Sequence, residues 1–319
     1  MKKYYYTCLF LWVFANSLFS QSDAIKALIE KTDELNLDMW ELTTFAEENI
    51  RDKEQLARFF YHWIGSNIQY DNETYQRLIS EQIDQQSFWE LQKEKVVYTN
   101  RKGVCAGYAN LYKWFLDWVN IETVVITGHI RDQRNHYIEL ETDDAFRHAW
   151  NAIKLNGKWM LVDTTWGTSD EKIISEFYFD IKPELSIISH YPADSKWQLL
   201  KEPISLDEFN KSQFIKPIWF IIGFTKAPKL LSDKEFYYLT FQNIADNDWS
   251  VGLKVSADNI NFEPLNDIKV IKQDGLIYFR FRKSKVPKTA YFKVNLAKVK
   301  LIENEYMKTA YDDVINFRI

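Results

Sequence analysis

Cysteine is nearly absent from this chain. Its 319 residues include two, Cys8 and Cys105. Cys8 lies in an apolar run close to the N-terminus, so removal of that run leaves a single thiol. One thiol forms no internal disulfide, and an odd cysteine in an exported chain points to a reactive thiol or an intermolecular pair. The plainer alternative is a buried inert cysteine, since free Cys is among the most buried residue types. Other absences are as informative. Glycine supplies only 9 residues, and the chain has neither a collagen-like period, nor a P-loop, nor a glycine-rich dinucleotide fingerprint. It has no internal repeat and no low-complexity segment. With no second cysteine and no acidic-histidine motif at ligand spacing, neither a metal nor another cofactor is expected.

Basic runs are missing too. The formal charge is −5. Residues 1–20 hold Lys2 and Lys3 and no acid, so the remainder carries 38 basic and 45 acidic residues, a net of −7. That balance argues against nucleic acid as a partner. Long apolar runs are also lacking. Tyr4 to Phe14 is uncharged and mostly apolar, but a membrane span needs about 20 such residues. Behind Met1-Lys2-Lys3 and ahead of Ala15 to Gln21, the run reads as an export signal at residues 1–20. Ser20 suits the position before a cut, whereas Leu18 fits the small-residue rule poorly. The expectation is a periplasmic, cell-surface or secreted protein with no stable membrane span once the signal is removed.

What the chain does have is aromatic bulk. Aromatics make up 16 % of it and include 12 Trp, within a hydrophobic share of 46 %. Large aromatic cores follow, and the length allows two domains. Residues 22–95 read as helical. Leu56, Phe59, Phe60, Trp63, Ile64 and Ile68 recur at helical spacing over Lys53 to Ile68, with Asp52 as cap. Asp71-Asn72 breaks that pattern, and a polar, Gln-rich stretch from Glu73 to about Lys95 reads as a solvated helix or lid. Cys105 to Val119 is apolar nearly all round, the mark of a buried helix. The small residues Ala106, Gly107 and Ala109 near its start leave room for close neighbours.

Beyond that helix the period becomes strand-like. Thr123 to Thr127 and Tyr137 to Leu140 are candidate strands. His148 to Leu155 and Lys158 to Asp163 flank Asn156-Gly157, a strong hairpin signal. Residues 170–205 read as irregular. From about Pro217, runs at Trp219–Phe224, Phe236–Asn243, Ser250–Ser256, Ile268–Ile271, Leu276–Arg282 and Ala290–Asn295 are split by turn residues, including Asp246-Asn247 and Asp258-Asn259. Such spacing predicts a β-sandwich. The expected domains are 21–210 and 211–319, with the boundary inside 204–216.

Three residues form a pattern. Cys105 would stand at the N-terminus of a buried helix, where unpaired N–H groups and the helix dipole favour a thiolate. Pairing outward from Asn156-Gly157 puts His148 roughly opposite residue 165. Asp163 is then a diagonal neighbour on the same face, within reach of an imidazole–carboxylate hydrogen bond. That is a nucleophile, a base and an orienting group. Taken singly, His148 could be a surface strand residue and Asp163 a cap on the Thr164-Thr165 turn.

The residues around this pattern resemble a known family. Gly103-Val104-Cys105-Ala106-Gly107-Tyr108-Ala109, His148-Ala149-Trp150-Asn151 and Gly157 to Gly167 are similar to the transglutaminase-like superfamily, nearest its bacterial kyphoscoliosis peptidase-like group. Trp63 to Asp71 and His190 to Leu200 resemble its flanking motifs. The resemblance spans about residues 50 to 205 and does not reach the C-terminal strands with equal force. It implies an α+β fold: a papain-like, transglutaminase-like core with a helical N-terminal part, followed by the sandwich. It places the nucleophile at Cys105, the base at His148 and the orienter at Asp163. The oxyanion donor stays open among the Cys105 N–H and side chains of Gln69, Tyr70 or Trp63. His190 matches the closing motif without a defined role. The implied chemistry is attack on a peptide or carboxamide carbonyl through a thioester, with peptidase favoured over transglutaminase or deamidase and a protein or peptide as partner. The rival expectation is a catalytically silent scaffold binding cell-surface or secreted proteins. Oligomeric state and substrate identity are not legible.

Overall fold

A computed structural model describes residues 24–131, 140–142, 147–168, 174–242, 249–302 and 305–319. The N-terminal signal, the Tyr137-Ile138-Glu139 strand and the Asp246-Asn247 turn of the sequence reading lie outside them.

The N-terminal half is helical for reasons visible residue by residue. Helices α1 (24–35), α2 (Met39–Asn49) and α3 (Lys53–Asn67) come first. The Asp38 carboxylate accepts from the Trp40 and Glu41 N–H groups and closes a capping box with Glu41. Asp52 caps α3 through the Gln55 N–H. A short strand β1 (Gln69–Tyr70) leads into α4 (Asn72–Ile79), α5 (Gln85–Leu91) and α6 (Glu94–Asn100), and β2 (Lys102–Gly103) precedes α7 (Cys105–Trp118). The stretch expected as one solvated helix from Glu73 to Lys95 is therefore broken between α4 and α5. It is not wholly solvated either, because Phe88 and Gln92 are buried. The helical core joins faces of α1, α2, α3 and α7, with Phe60 stacked on Phe115 at 4.7 Å.

Four strands of one antiparallel sheet run in the order β6-β5-β4-β3. They are β3 (Thr123–Ile130), β4 (His148–Leu155), β5 (Lys158–Val162) and β6 (Phe179–Ile181). Asn156 and Gly157 both adopt positive φ, 50° and 77°, so the two-residue turn is of the mirror-image kind that matches strand twist. Leu155 faces Lys158 and Asn151 faces Val162, the register the turn dictates. Regular pairing ends there, and Asp163 begins a turn.

The C-terminal strands form two antiparallel sheets. One contains Lys229–Ser232, Phe236–Gln242, Lys269–Gln273 and Leu276–Arg282. The other includes Ser250–Ser256 and the long hairpin strands Tyr291–Ile302 and Glu305–Arg318. Leu239, Phe241 and Phe279 from the first sheet share one core with Leu253, Phe292 and Phe317 from the second, which makes a sandwich. The Trp219–Phe224 run is a correction: Ile218–Ile221 is a helical turn. Pro217 begins it in helical geometry, and Gly223 at φ 113° ends it. A short apolar run does not by itself distinguish strand from buried helix. Trp219 and Phe224 still reach the core, stacked at 3.7 Å.

By contacts the chain divides into two compact units. The first is Met1–His129, Ala145–Ser186 and Pro192–Lys201, and the second is Ile130–Asp144, Ile187–Tyr191 and Glu202–Ile319. The two units thus interleave along the chain.

Candidate active site

Cys105 is the first residue of α7. The preceding residue, Val104, has extended backbone and offers no side-chain cap. The early N–H groups of the helix are therefore not taken by a capping side chain, and the positive end of the helix favours an anion there. Val104 itself is pinned, because its N–H donates to Gln92 Oε1 at 2.9 Å. Gln92 also accepts through its backbone carbonyl from Asn110 Nδ2 at 3.0 Å. One buried glutamine thus grips α7 on both sides of its first turn. Gly107 leaves room for it, since a Cβ there would lie 2.7 Å from Gln92 Oε1 and 2.8 Å from Val97 Cγ2.

Cys105 packs in a satellite cluster with Val104, Ala106, Phe88 and Ala149, against Tyr75, Leu78 and Ile83. Helices α4 and α5 and the turn between them therefore wall the thiol. Asn151 from β4 donates to the Ala109 carbonyl at 3.0 Å and fastens the strand bearing His148 to the helix bearing Cys105.

His148 Nε2 lies 2.7 Å from Asp163 Oδ2, and both side chains are buried. The other Asp163 oxygen, Oδ1, accepts the N–H groups of Thr165 and Trp166, each at 2.9 Å. The Asp163 N–H donates to the Tyr178 carbonyl, and its own carbonyl accepts from Gly167. The aspartate is thus both turn cap and histidine partner. The two roles the sequence left as alternatives coexist on different oxygens. The His148 ring lies 5.9 Å from Trp150 and 5.4 Å from Trp166, so its plane is held by aromatic neighbours. With Nε2 on the carboxylate, Nδ1 is the ring nitrogen available to the thiol.

Burial opposes charge on both groups, yet the pair wins. Burial pushes the Cys105 thiol up, but the hydrogen bond and positive charge of His148, with the Ala149 N–H, bring it below the usual thiol range. Burial pulls His148 down, while the Asp163 carboxylate and Cys105 push it up to about 10. Both shifts favour a thiolate–imidazolium pair over the neutral pair.

Helix α3 props the turn from below. Tyr61 Oη donates to the Ser175 carbonyl at 2.6 Å, and a Cβ on Gly167 would stand 1.7 Å from that hydroxyl. One turn along α3, a Cβ on Gly65 would meet Thr168 Cγ2 at 2.5 Å. Glycine at both positions lets helix and turn approach closely. Nearby, His62 and Arg58 both engage Glu176. Sequence reasoning did not single out Tyr61, and it placed Gln92 in a stretch read as a solvated helix or lid.

Of the oxyanion candidates, Trp63 is spent, because its Nε1 donates to Thr32 Oγ1 at 3.2 Å. Gln69 and Tyr70 are exposed on β1. That strand pairs with Lys102 and Gly103 just ahead of Cys105. His190 is buried, and its Nδ1 lies 2.8 Å from Ser189 Oγ.

Residues 43–164, which include Cys105, His148 and Asp163, match a family model described as the transglutaminase-like superfamily. Mouse kyphoscoliosis peptidase is 31 % identical over 218 residues, covering 66 % of this chain and 31 % of that protein. The human kyphoscoliosis peptidase is 31 % identical over 179 residues, 54 % of this chain and 26 % of its own. Hillarin of Drosophila melanogaster is 28 % identical over 134 residues, 36 % of this chain and 16 % of its own. The chain therefore spans about a third or less of the length of these curated relatives. A solved structure described as that of a TGase is 14 % identical, with a TM-score of 0.28, covering 46 % of this chain and 32 % of that one, a likeness too slight to carry an argument.

Proposed function

Since residues 43–164 form a transglutaminase-like domain, we propose that this protein is a thiol enzyme in which Cys105 is the nucleophile, His148 the acid and base, and Asp163 the orienting carboxylate. The observation that carries this is the buried 2.7 Å His148–Asp163 contact beside a thiol that His148 holds below its usual range. An inert buried cysteine would be pushed the other way by burial alone.

The chemistry follows from the charges. The Cys105 thiolate attacks a carbonyl carbon, forming the C–S bond and an oxyanion. The positive end of α7 and the Cys105 N–H face that developing charge, and Gln69 and Tyr70 on β1 are the remaining side-chain candidates. The His148 imidazolium then gives its proton to the leaving nitrogen as the C–N bond breaks. A thioester and an amine result. Neutral His148 next takes a proton from water, and the hydroxide equivalent attacks the thioester to return the free thiolate and a carboxylic acid. If an amine replaces water, the product is a new amide.

We favour water as acceptor and a peptide bond as target, hence a peptidase. Support comes from the mouse and human relatives, both named kyphoscoliosis peptidase. Residues 1–20 support export, because a lysine pair precedes a short apolar run. The deciding experiment compares wild-type protein and Cys105→Ala on a peptide library and on glutamine-containing peptides with an added primary amine. Cleavage by wild type alone supports the peptidase. Amine incorporation without cleavage shifts the reading to acyl transfer, and equal activity in both proteins removes it.

A further inference from the structure

Away from the thiol, a cavity of about 200 Å³ opens among α1, α3 and α6. Its walls include Trp63 and Tyr98, whose rings stack at 5.3 Å. The Arg101 guanidinium lies against both, 4.8 and 4.3 Å from their centroids. Most polar groups of this wall are spent. Trp63 donates to Thr32, the Thr32 hydroxyl donates to the Ile29 carbonyl, and the Tyr98 hydroxyl donates to the Leu37 carbonyl.

Two donors are not spent. Arg101 Nη1 and Asn67 Nδ2 are buried without a hydrogen-bond partner, and both residues line this cavity. A buried donor with no acceptor costs about 1–3 kcal/mol, more when charged, so two beside one cavity call for an explanation. Arg101 also stands at φ 55° at the C-terminal cap of α6, a left-handed position where glycine or asparagine is usual. A side chain at that position carries a backbone cost.

We propose that this cavity binds a small carboxylate. The missing partner of Nη1 and Nδ2 is an acceptor, and the half-buried guanidinium, which also hydrogen-bonds Tyr98, brings positive charge to this wall. A planar guanidinium fork beside an amide N–H₂ matches the two oxygens of a carboxylate. The aromatic wall suits an apolar body behind that head. Asp33 also lines the cavity but is exposed, whereas Arg101 is half-buried, so solvent screens the carboxylate more than the guanidinium. A cavity of ~150 Å³ accommodates benzene, so this one suits a carboxylate the size of benzoate. The site is independent of the thiol chemistry.

The test is calorimetric titration of the full chain with benzoate, benzamide and benzylamine. The expected result is benzoate binding with a Kd of about 1 mM and at least about tenfold weaker binding of the two analogues. Asn67→Asp, nearly isosteric, and Arg101→Lys, which keeps the charge and loses the fork, should each weaken benzoate by about tenfold or more. Thermal melts check that each variant folds. If one does not, the other decides together with the benzoate–benzamide contrast. No benzoate binding at about 10 mM, equal affinity for benzoate and benzamide, or wild-type affinity in a folded variant overturns the proposal.

Discussion

Asp163 serves two masters with its two oxygens: Oδ2 holds His148 Nε2 at 2.7 Å, and Oδ1 holds the Thr165 and Trp166 N–H groups at 2.9 Å. The turn that ends β5 and the orientation of the imidazole are therefore set by one buried carboxylate. Both depend on it being ionised, because a protonated oxygen would lose acceptor capacity where three donors converge.

Replacing this carboxylate should separate the two roles. Asp163→Asn keeps one oxygen for the backbone N–H groups but points an amide at His148. Activity should fall about 10⁴-fold, the scale seen when a triad aspartate becomes asparagine, with a modest drop in melting temperature. Asp163→Ala should cost the same activity and a further ~1–3 kcal/mol of stability for the orphaned N–H groups. Steady-state kinetics and urea melts measure the pair, and equal stability of the two variants would contradict the turn-cap role.

The thiol should react early on the pH scale. Cys105 is lowered by His148, so the rate of iodoacetamide alkylation should reach half its plateau below the ordinary thiol value of ~8.5. In His148→Ala, burial and the Asp163 charge raise the thiol against the Ala149 N–H alone, and that midpoint should move above ~8.5. Mass-spectrometric labelling against pH reads both, and an unchanged midpoint would sink the ion-pair account.

Turnover should fall again at high pH. Acyl transfer needs thiolate and imidazolium together. His148 is raised to about 10, so the alkaline limb of the kcat/KM profile should lie near there. The stability sign agrees. A histidine raised from its unfolded value of ~6.5 contributes fully below that pH, and the contribution is lost as pH rises through about 10. A pH profile of kcat/KM, with melts over the same range, checks both.

Gly167→Ala should be disproportionately harmful for one methyl group. Its Cβ would sit 1.7 Å from Tyr61 Oη and 3.0 Å from the Asp163 carbonyl. Either the turn or α3 must shift, at ~1–3 kcal/mol for overpacking, and movement of the turn carries Asp163 with it. Lower melting temperature together with reduced kcat is the expected outcome. Gly157→Ala is the control, with no atom within 4 Å of its Cβ, and should cost stability through its positive φ while sparing kcat.

Gln92→Leu tests the grip on α7. It should leave the Val104 N–H without its acceptor while the backbone carbonyl still holds Asn110, lowering stability by about 1–3 kcal/mol and slowing alkylation of Cys105 at a given pH. Wild-type alkylation in a folded variant would show that the glutamine does not position the thiol.

What was legible in the sequence was local. The Asn156-Gly157 turn fixes its own register, so the diagonal placing of Asp163 beside His148 followed by counting. The α7 helix followed from its apolar residues. The α5 burial did not, because Phe88 and Gln92 sit among polar residues whose outward face dominates the composition, and burial depends on what packs across from them. Pro217 and Gly223 turn the Trp219 run into a helical turn, a backbone effect that outweighs an apolar pattern common to strand and helix. The Arg131 N–H donates to the Ser189 carbonyl, a long-range contact that no local period encodes.

The Asp163 arrangement bears on how a chain of this kind would decay. A descendant that stopped turning over substrate would still need the carboxylate to hold the turn after β5, so selection for mere folding would preserve it. The thiol and the imidazole carry no comparable structural debt: Cys105 caps nothing, and His148 sits at a strand start. Silent copies should therefore betray themselves at positions 105 and 148 while position 163 stays acidic, and this chain retains cysteine and histidine at both.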